Sequence, residues 1–128
     1  MEKKTVLVIE DNELNMKLIT ALLKLGNYEI LEAVDAAIGL KQAEEHKPDL
    51  ILMDISLPGM NGLEATRILK NNTTTKCIPV VALTAHAMKG DDQKALDAGC
   101  QGYITKPIDV ASFPSTVAAF LGCSGSDR

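Results

Sequence analysis

"DLILMDISLPGMNG", residues 49–62, carries an apolar run into an aspartate and then breaks at a proline and a glycine. An almost unbroken aliphatic run, "LILM" at 50–53, is expected of a parallel strand covered on both faces. Ending that strand on Asp54 puts a charge where burial is costly. Taken alone, Asp54 reads as a turn former that caps the next helix. The rest of the chain decides whether it does more.

Four other runs of similar length flank this one: "VLVI" (6–9), "YEILEA" (28–33), "PVVAL" (79–83) and "GYIT" (102–105). The first and fourth are nearly unbroken and belong inside a sheet. The second and fifth are mixed and belong at its edges. Pro79 is tolerable as the first residue of a strand.

Helical patterns fill the gaps. Between Glu13 and Leu25, Leu14, Leu18, Leu22 and Leu25 step by four, four and three, and Gly26 stops the helix. Asp35 can cap a second helix that runs to about His46 and ends at Pro48. A third spans about Leu63 to Lys70. Asp91 and Asp92 open a fourth, which Gly99 closes. A fifth spans about Ser112 to Leu121, and Pro114 suits only its first turn.

Strand and helix thus alternate five times. Such a chain folds as an α/β doubly wound, five-stranded parallel sheet. Five strands favour the flavodoxin-like order 2-1-3-4-5, with ligands beyond the carboxyl ends at the switch between strands one and three. One domain, 1–121, is expected, with 122–128, "GCSGSDR", as a short flexible tail.

Composition narrows the function. Aromatic residues make up 3% of the 128 and there is no Trp, so the core is aliphatic and base-stacking rings are lacking. A net charge of −4 gives no footprint for nucleic acid or an anionic membrane surface. No apolar stretch is long enough to span a bilayer, and no signal peptide opens the chain. Cys77, Cys100 and Cys123 are odd in number and far apart. They read as free thiols in a reducing compartment, hence a cytoplasmic location.

The strand ends carry the chemistry. Strand one ends in Glu10 and Asp11, strand three in Asp54, strand four in Thr84 and strand five in Lys106-Pro107. In the order 2-1-3-4-5 the three carboxylates converge, and at about 5 Å each pair would repel by roughly 3 kcal/mol at an effective dielectric near 20. Such a cluster binds protons or a cation. Hard oxygen ligands with room for water suit Mg²⁺. Asp54 beside it is a candidate aspartyl-phosphate nucleophile. The Lys106 ammonium and the Thr84 hydroxyl could steady a transferring phosphoryl group. Neither G-x-x-x-x-G-K-[ST] nor G-x-G-x-x-G is present, and "EDNELN" would repel a flavin phosphate. Asp54-Ile-Ser56 lacks the second Asp expected of haloacid-dehalogenase phosphatases.

With "VLVIEDNELN", "PDLILMDISLPGMNG", "VVALTAHAMKGD" and "GYITKPI" in this order, the chain resembles the CheY-like receiver domain of two-component response regulators over nearly its whole length. In detail it looks like the stand-alone DivK-type regulators of cell division. The resemblance implies that Asp54 is the phosphoacceptor, and that Glu10, Asp11 and the Ser56 backbone carbonyl join it in holding Mg²⁺. It implies that Thr84 senses the phosphoryl group, Lys106 pairs with it and Tyr103 is the switch aromatic. Lys106-Pro107 is expected to be cis. Ser56 and His86 occupy variable positions of the family pattern and are expected to tune phosphate lifetime.

The function so implied is a phosphorelay response regulator and not a metabolic enzyme. A histidine kinase or histidine phosphotransfer protein would be the donor. A downstream target would meet the face made by helix four, strand five and helix five, where Ala95, Ala98, Gly99, Ala118 and Ala119 lie. A monomer is expected, with no output domain after Leu121. The alternatives are a receiver excised from a hybrid histidine kinase or transcription factor, and an unphosphorylated docking module.

Overall fold

The structure is a computed structural model that describes residues 4–55, 62–84, 91–106 and 108–126. Five strands, β1 (Thr5–Ile9), β2 (Glu29–Ala33), β3 (Leu50–Asp54), β4 (Val80–Thr84) and β5 (Gly102–Thr105), alternate with five helices. These are α1 (Glu13–Leu25), α2 (Ala36–His46), α3 (Gly62–Asn71), α4 (Asp91–Ala98) and α5 (Phe113–Ser126). All strand pairs are parallel and the order is β2-β1-β3-β4-β5, as the sequence pattern predicts.

Alternation along each strand divides the core in two. Leu7, Ile9, Ile51, Met53, Val80 and Ala82 form one face, which packs on Ala36 and Ala43 of α2 and Ala65 and Leu69 of α3. Val6, Val8, Leu50, Leu52, Val81 and Leu83 form the other, against α1 and α5. Every residue of β3 and β4 is buried, which is why those strands carry no polar alternation. Among the described residues, no helix is long and apolar enough to cross a membrane.

Local signals bound the helices, at Asp35 and Gly99 as expected and at Asn12 without having been foreseen. Asn12 Oδ1 accepts the Asn15 N–H at 3.0 Å and caps α1, and Asp35 Oδ1 accepts the Ile38 N–H at 2.9 Å and caps α2. Gly99, at φ 114°, closes α4 in a conformation that glycine adopts without a Cβ penalty. Pro114 lies in the first turn of α5. On the outer side of the sheet, Gln42 of α2 donates its side-chain N–H to the Glu32 carbonyl of β2 at 2.9 Å.

Three expectations need correction. The Leu14–Leu25 stripe faces the core only at its middle: Leu22 is buried and Leu18 partly so, but Leu14 is 76% and Leu25 83% exposed. Met16, Ile19, Leu22 and Leu23 make up the buried face. Both sets have helical spacing, and packing of α1 against the sheet and α5 selects the second. The fifth helix runs to Ser126 and does not end at Leu121. Gly122 and Gly125 cost about 1 kcal/mol each in a helix, which weakens it without the backbone block that a proline imposes. Ala98 is buried and so lies outside any exposed docking surface, whereas Ala118 and Ala119 are exposed.

Candidate functional site

Register alone brings the site together. Ile9 pairs with Met53, so Glu10 and Asp54, each the next residue along, end neighbouring strands at the same level. Asp54 pairs with Leu83, placing Thr84 one step beyond it. Thr84 pairs with Thr105, and the Lys106 N–H donates to the Thr84 carbonyl at 2.7 Å, which holds the lysine backbone on the rim. The Glu10 N–H donates to the Ala33 carbonyl of β2 at 3.0 Å. Four elements thus deliver their polar residues to one edge.

The side chains complete the convergence. Carboxylate oxygens of Glu10, Asp11 and Asp54 lie within 4.8 Å of one another. Glu10 is 1% and Asp54 2% exposed, while Asp11 faces solvent. Lys106 Nζ is 3.1 Å from Glu10 Oε1 and 3.1 Å from Asp54 Oδ2, bridging the two buried acids. Among the described residues, one ammonium faces the three carboxylates, which leaves the cluster short of positive charge.

Glu10 shows the strain of that arrangement. Burial, aided by a hydrogen bond to Asp54 and by its charge, pushes the Glu10 carboxyl up to about 7. The Asn12 N–H, which donates to Glu10 Oε2 at 3.0 Å, and Lys106 pull the other way. Glu10 Oε1 is buried and accepts no well-formed hydrogen bond; its Lys106 contact is electrostatic. For Lys106, burial lowers the pKa, but its contacts with Glu10 and Asp54 outweigh this and raise it. The lysine stays charged.

Three hard oxygen donors that share one lysine ammonium fit a small divalent cation such as Mg²⁺. Thr84 is buried where β4 ends, and Tyr103 on the neighbouring edge strand is 38% exposed. A pocket of about 340 Å³ opens beside Tyr103, lined also by Thr105, Asp109 and Ser112. Ser56, His86 and Pro107 lie outside the described residues.

Two contributors escape a reading of the sequence for carboxylates. Asn12 orients Glu10 through its backbone while its side chain caps α1, and its only signal is the cap position. Gly62 opens α3 against the strand end: a Cβ there would collide with the Asp54 carbonyl oxygen and with Ile55 Cα. A glycine opening the helix after β3 is its signal.

Known proteins share this chain's sequence pattern and fold. The polar-differentiation response regulator DivK of Brucella anthropi is 48% identical over 119 residues, covering 93% of this chain and 97% of that protein. The receiver domain of a Pseudomonas aeruginosa sensor histidine kinase, solved with a magnesium ion coordinated in its active-site cleft, superposes with a TM-score of 0.88. It is 32% identical and covers 94% of this chain and 99% of its own. A CheY-like receiver domain protein from Methanospirillum hungatei superposes with a TM-score of 0.90 at 24% identity, covering 99% of this chain and all of its own, which bears on the fold alone. The response regulator receiver domain pattern matches residues 6–118. This chain belongs to the response regulator receiver domain family.

Proposed function

We propose that this protein is a DivK-like phosphorelay regulator of the cytoplasm whose Asp54 accepts a phosphoryl group from a phosphohistidine on a kinase or phosphotransfer protein. The observation that carries this reading is the convergence of Asp54 with Glu10, Asp11 and Lys106 at one rim of the sheet. Glu10, Asp11 and Asp54 would hold Mg²⁺, joined by the Ser56 carbonyl. The ion, when bound, offsets the charge of the acids and of the incoming phosphoryl oxygens.

An Asp54 carboxylate oxygen attacks phosphorus, the phosphorus–nitrogen bond breaks, and its electron pair returns to the imidazole of the donor. Lys106 then exchanges its contact with Asp54 for one with a phosphoryl oxygen. Thr84 offers a hydroxyl from the adjacent strand end, and Tyr103 answers its movement by turning inward. That change would alter the surface of α4, β5 and α5 met by a target protein. Attack of water on the same phosphorus returns Asp54 and inorganic phosphate, at a rate that Ser56 and His86 would set.

Intact-mass spectrometry after incubation with a small acyl phosphate and Mg²⁺ tests the reading. One phosphoryl group is expected on the wild type, and none on Asp54→Ala or after chelation of Mg²⁺. Equal labelling of Asp54→Ala would overturn the assignment.

A further inference from the structure

α3 begins in contact with the phosphoacceptor strand. Gly62 is buried, its N–H donates to the Ile55 carbonyl at 3.4 Å, and the space for a Cβ is filled by the backbone of Asp54 and Ile55. One turn on, the fully buried Thr66 donates its hydroxyl to the Gly62 carbonyl at 2.8 Å. The hydroxyl oxygen of Thr66 in turn accepts from the Cys100 thiol, with sulfur 3.8 Å away. Cys100 follows Gly99, the closing residue of α4, and precedes Gln101. Gln101 is tied to β4 twice: its N–H donates to the Val80 carbonyl at 2.8 Å, and its Oε1 accepts the Val80 N–H at 3.0 Å.

A buried hydrogen-bonded line therefore runs from the α4–β5 junction, through Thr66, to the carbonyl of the residue that abuts Asp54. None of these groups belongs to the acid cluster or touches a reacting atom. We propose that Thr66 and Cys100 are positioning residues for Asp54: they hold the first turn of α3, and through Gly62 the strand end that carries the acceptor, in register with the α4–β5 junction. The proposal rests on Asp54 being the phosphoacceptor.

The chemistry of the line suits that task. A threonine hydroxyl can donate to one partner and accept from another at once, which a valine of the same shape cannot. Burial pushes the Cys100 thiol up from its usual value, against the opposing pull of Thr66 and Lys70, so the sulfur keeps its proton and remains a donor. Small displacements matter because phosphoryl transfer depends on in-line placement of the attacking oxygen.

The test compares labelling of full-length wild type, Thr66→Val, Thr66→Ser and Cys100→Ala by a small acyl phosphate, alongside urea unfolding. Thr75→Val is the control, since buried Thr75 donates to the Leu69 carbonyl at 2.7 Å in the same way but lies outside the line. Thr66→Val should lower the maximal labelling rate about three- to tenfold, with the half-saturating Mg²⁺ and acyl-phosphate concentrations held within about twofold. Cys100→Ala should lower it less, Thr66→Ser should restore most of it, and Thr75→Val should label at the wild-type rate despite a comparable loss of stability. Wild-type rates in both Thr66→Val and Cys100→Ala, or equal slowing by Thr75→Val, would overturn the proposal alone. Failure of wild type itself to label would instead remove the phosphoacceptor reading, and the proposal with it.

Discussion

At the amino end of β3, Asp49 Oδ2 accepts the Thr5 N–H at 2.8 Å, while the Asp49 N–H donates to the Thr5 carbonyl at 2.8 Å. At the carboxyl end, five residues on, Asp54 is buried among two more carboxylates with Lys106 shared between it and Glu10. One aspartate is satisfied by the neighbouring strand and stabilises the sheet. The other is crowded by like charge, with one described ammonium shared between it and Glu10. The difference lies in what the register places opposite each residue: a backbone donor at one end, two acids at the other.

The sharpest way to break that contrast compares two buried residues of β3. Leu52→Ala should destabilise the protein by about 2–5 kcal/mol through lost burial and the cavity left behind. Asp54→Asn, also buried, should in metal-free buffer raise stability, because it relieves like-charge crowding and leaves Lys106 paired with Glu10. Urea unfolding followed by circular dichroism reads both. An Asp54→Asn loss approaching that of Leu52→Ala would show that the strand end is not frustrated.

The second effect is a dependence on pH. The folded Glu10 carboxyl sits at about 7 against 4.5 for the free group, so the folded state holds the proton more tightly between these values. Its contribution to stability is fully present below about 4.5 and is lost as pH rises through about 7. Without metal, wild type should therefore lose more stability than Glu10→Gln between pH 5 and pH 8. Mg²⁺ must displace that proton, so its affinity should weaken as pH falls below about 7. Parallel stability profiles for the two proteins would place the strain elsewhere.

At the satisfied end the change is smaller. Asp49→Ala should cost about 1–2 kcal/mol by removing a charge-assisted bond to the Thr5 N–H, with acyl-phosphate labelling of Asp54 unchanged. Loss of labelling would mean that the two ends of β3 are not independent.

These contrasts track what the sequence made legible. The five apolar runs and the caps at Asp35 and Gly99 follow from spacing and turn chemistry, which are local, and the convergence of the three acids follows from the strand order that those runs imply. The choice between two leucine-bearing stripes on α1 is not local, because either set could cover a sheet and only the packing of α1 against β1 and α5 selects one. The line from Cys100 to Gly62 was also invisible, since a helical threonine and a lone cysteine carry no signal until the fold brings them together. The smallest predicted effect follows from the α1 correction. Leu14→Ser and Leu25→Ser should each change stability by less than about 0.5 kcal/mol, and a core-sized loss from either would return that stripe to the interior.

The Gln42 amide that binds the Glu32 carbonyl has a consequence beyond the molecule itself. An outermost strand presents carbonyls and amides that a strand from another chain can adopt, which is how sheets grow into aggregates. Gln42 occupies one such acceptor on β2, and the exposed acidic side chains of Glu29 and Glu32 add charge to that margin. At the opposite margin, β5 offers only the four residues Gly102–Thr105. Both margins thus discourage sheet-to-sheet joining at the high local concentrations in which a newly made chain must fold.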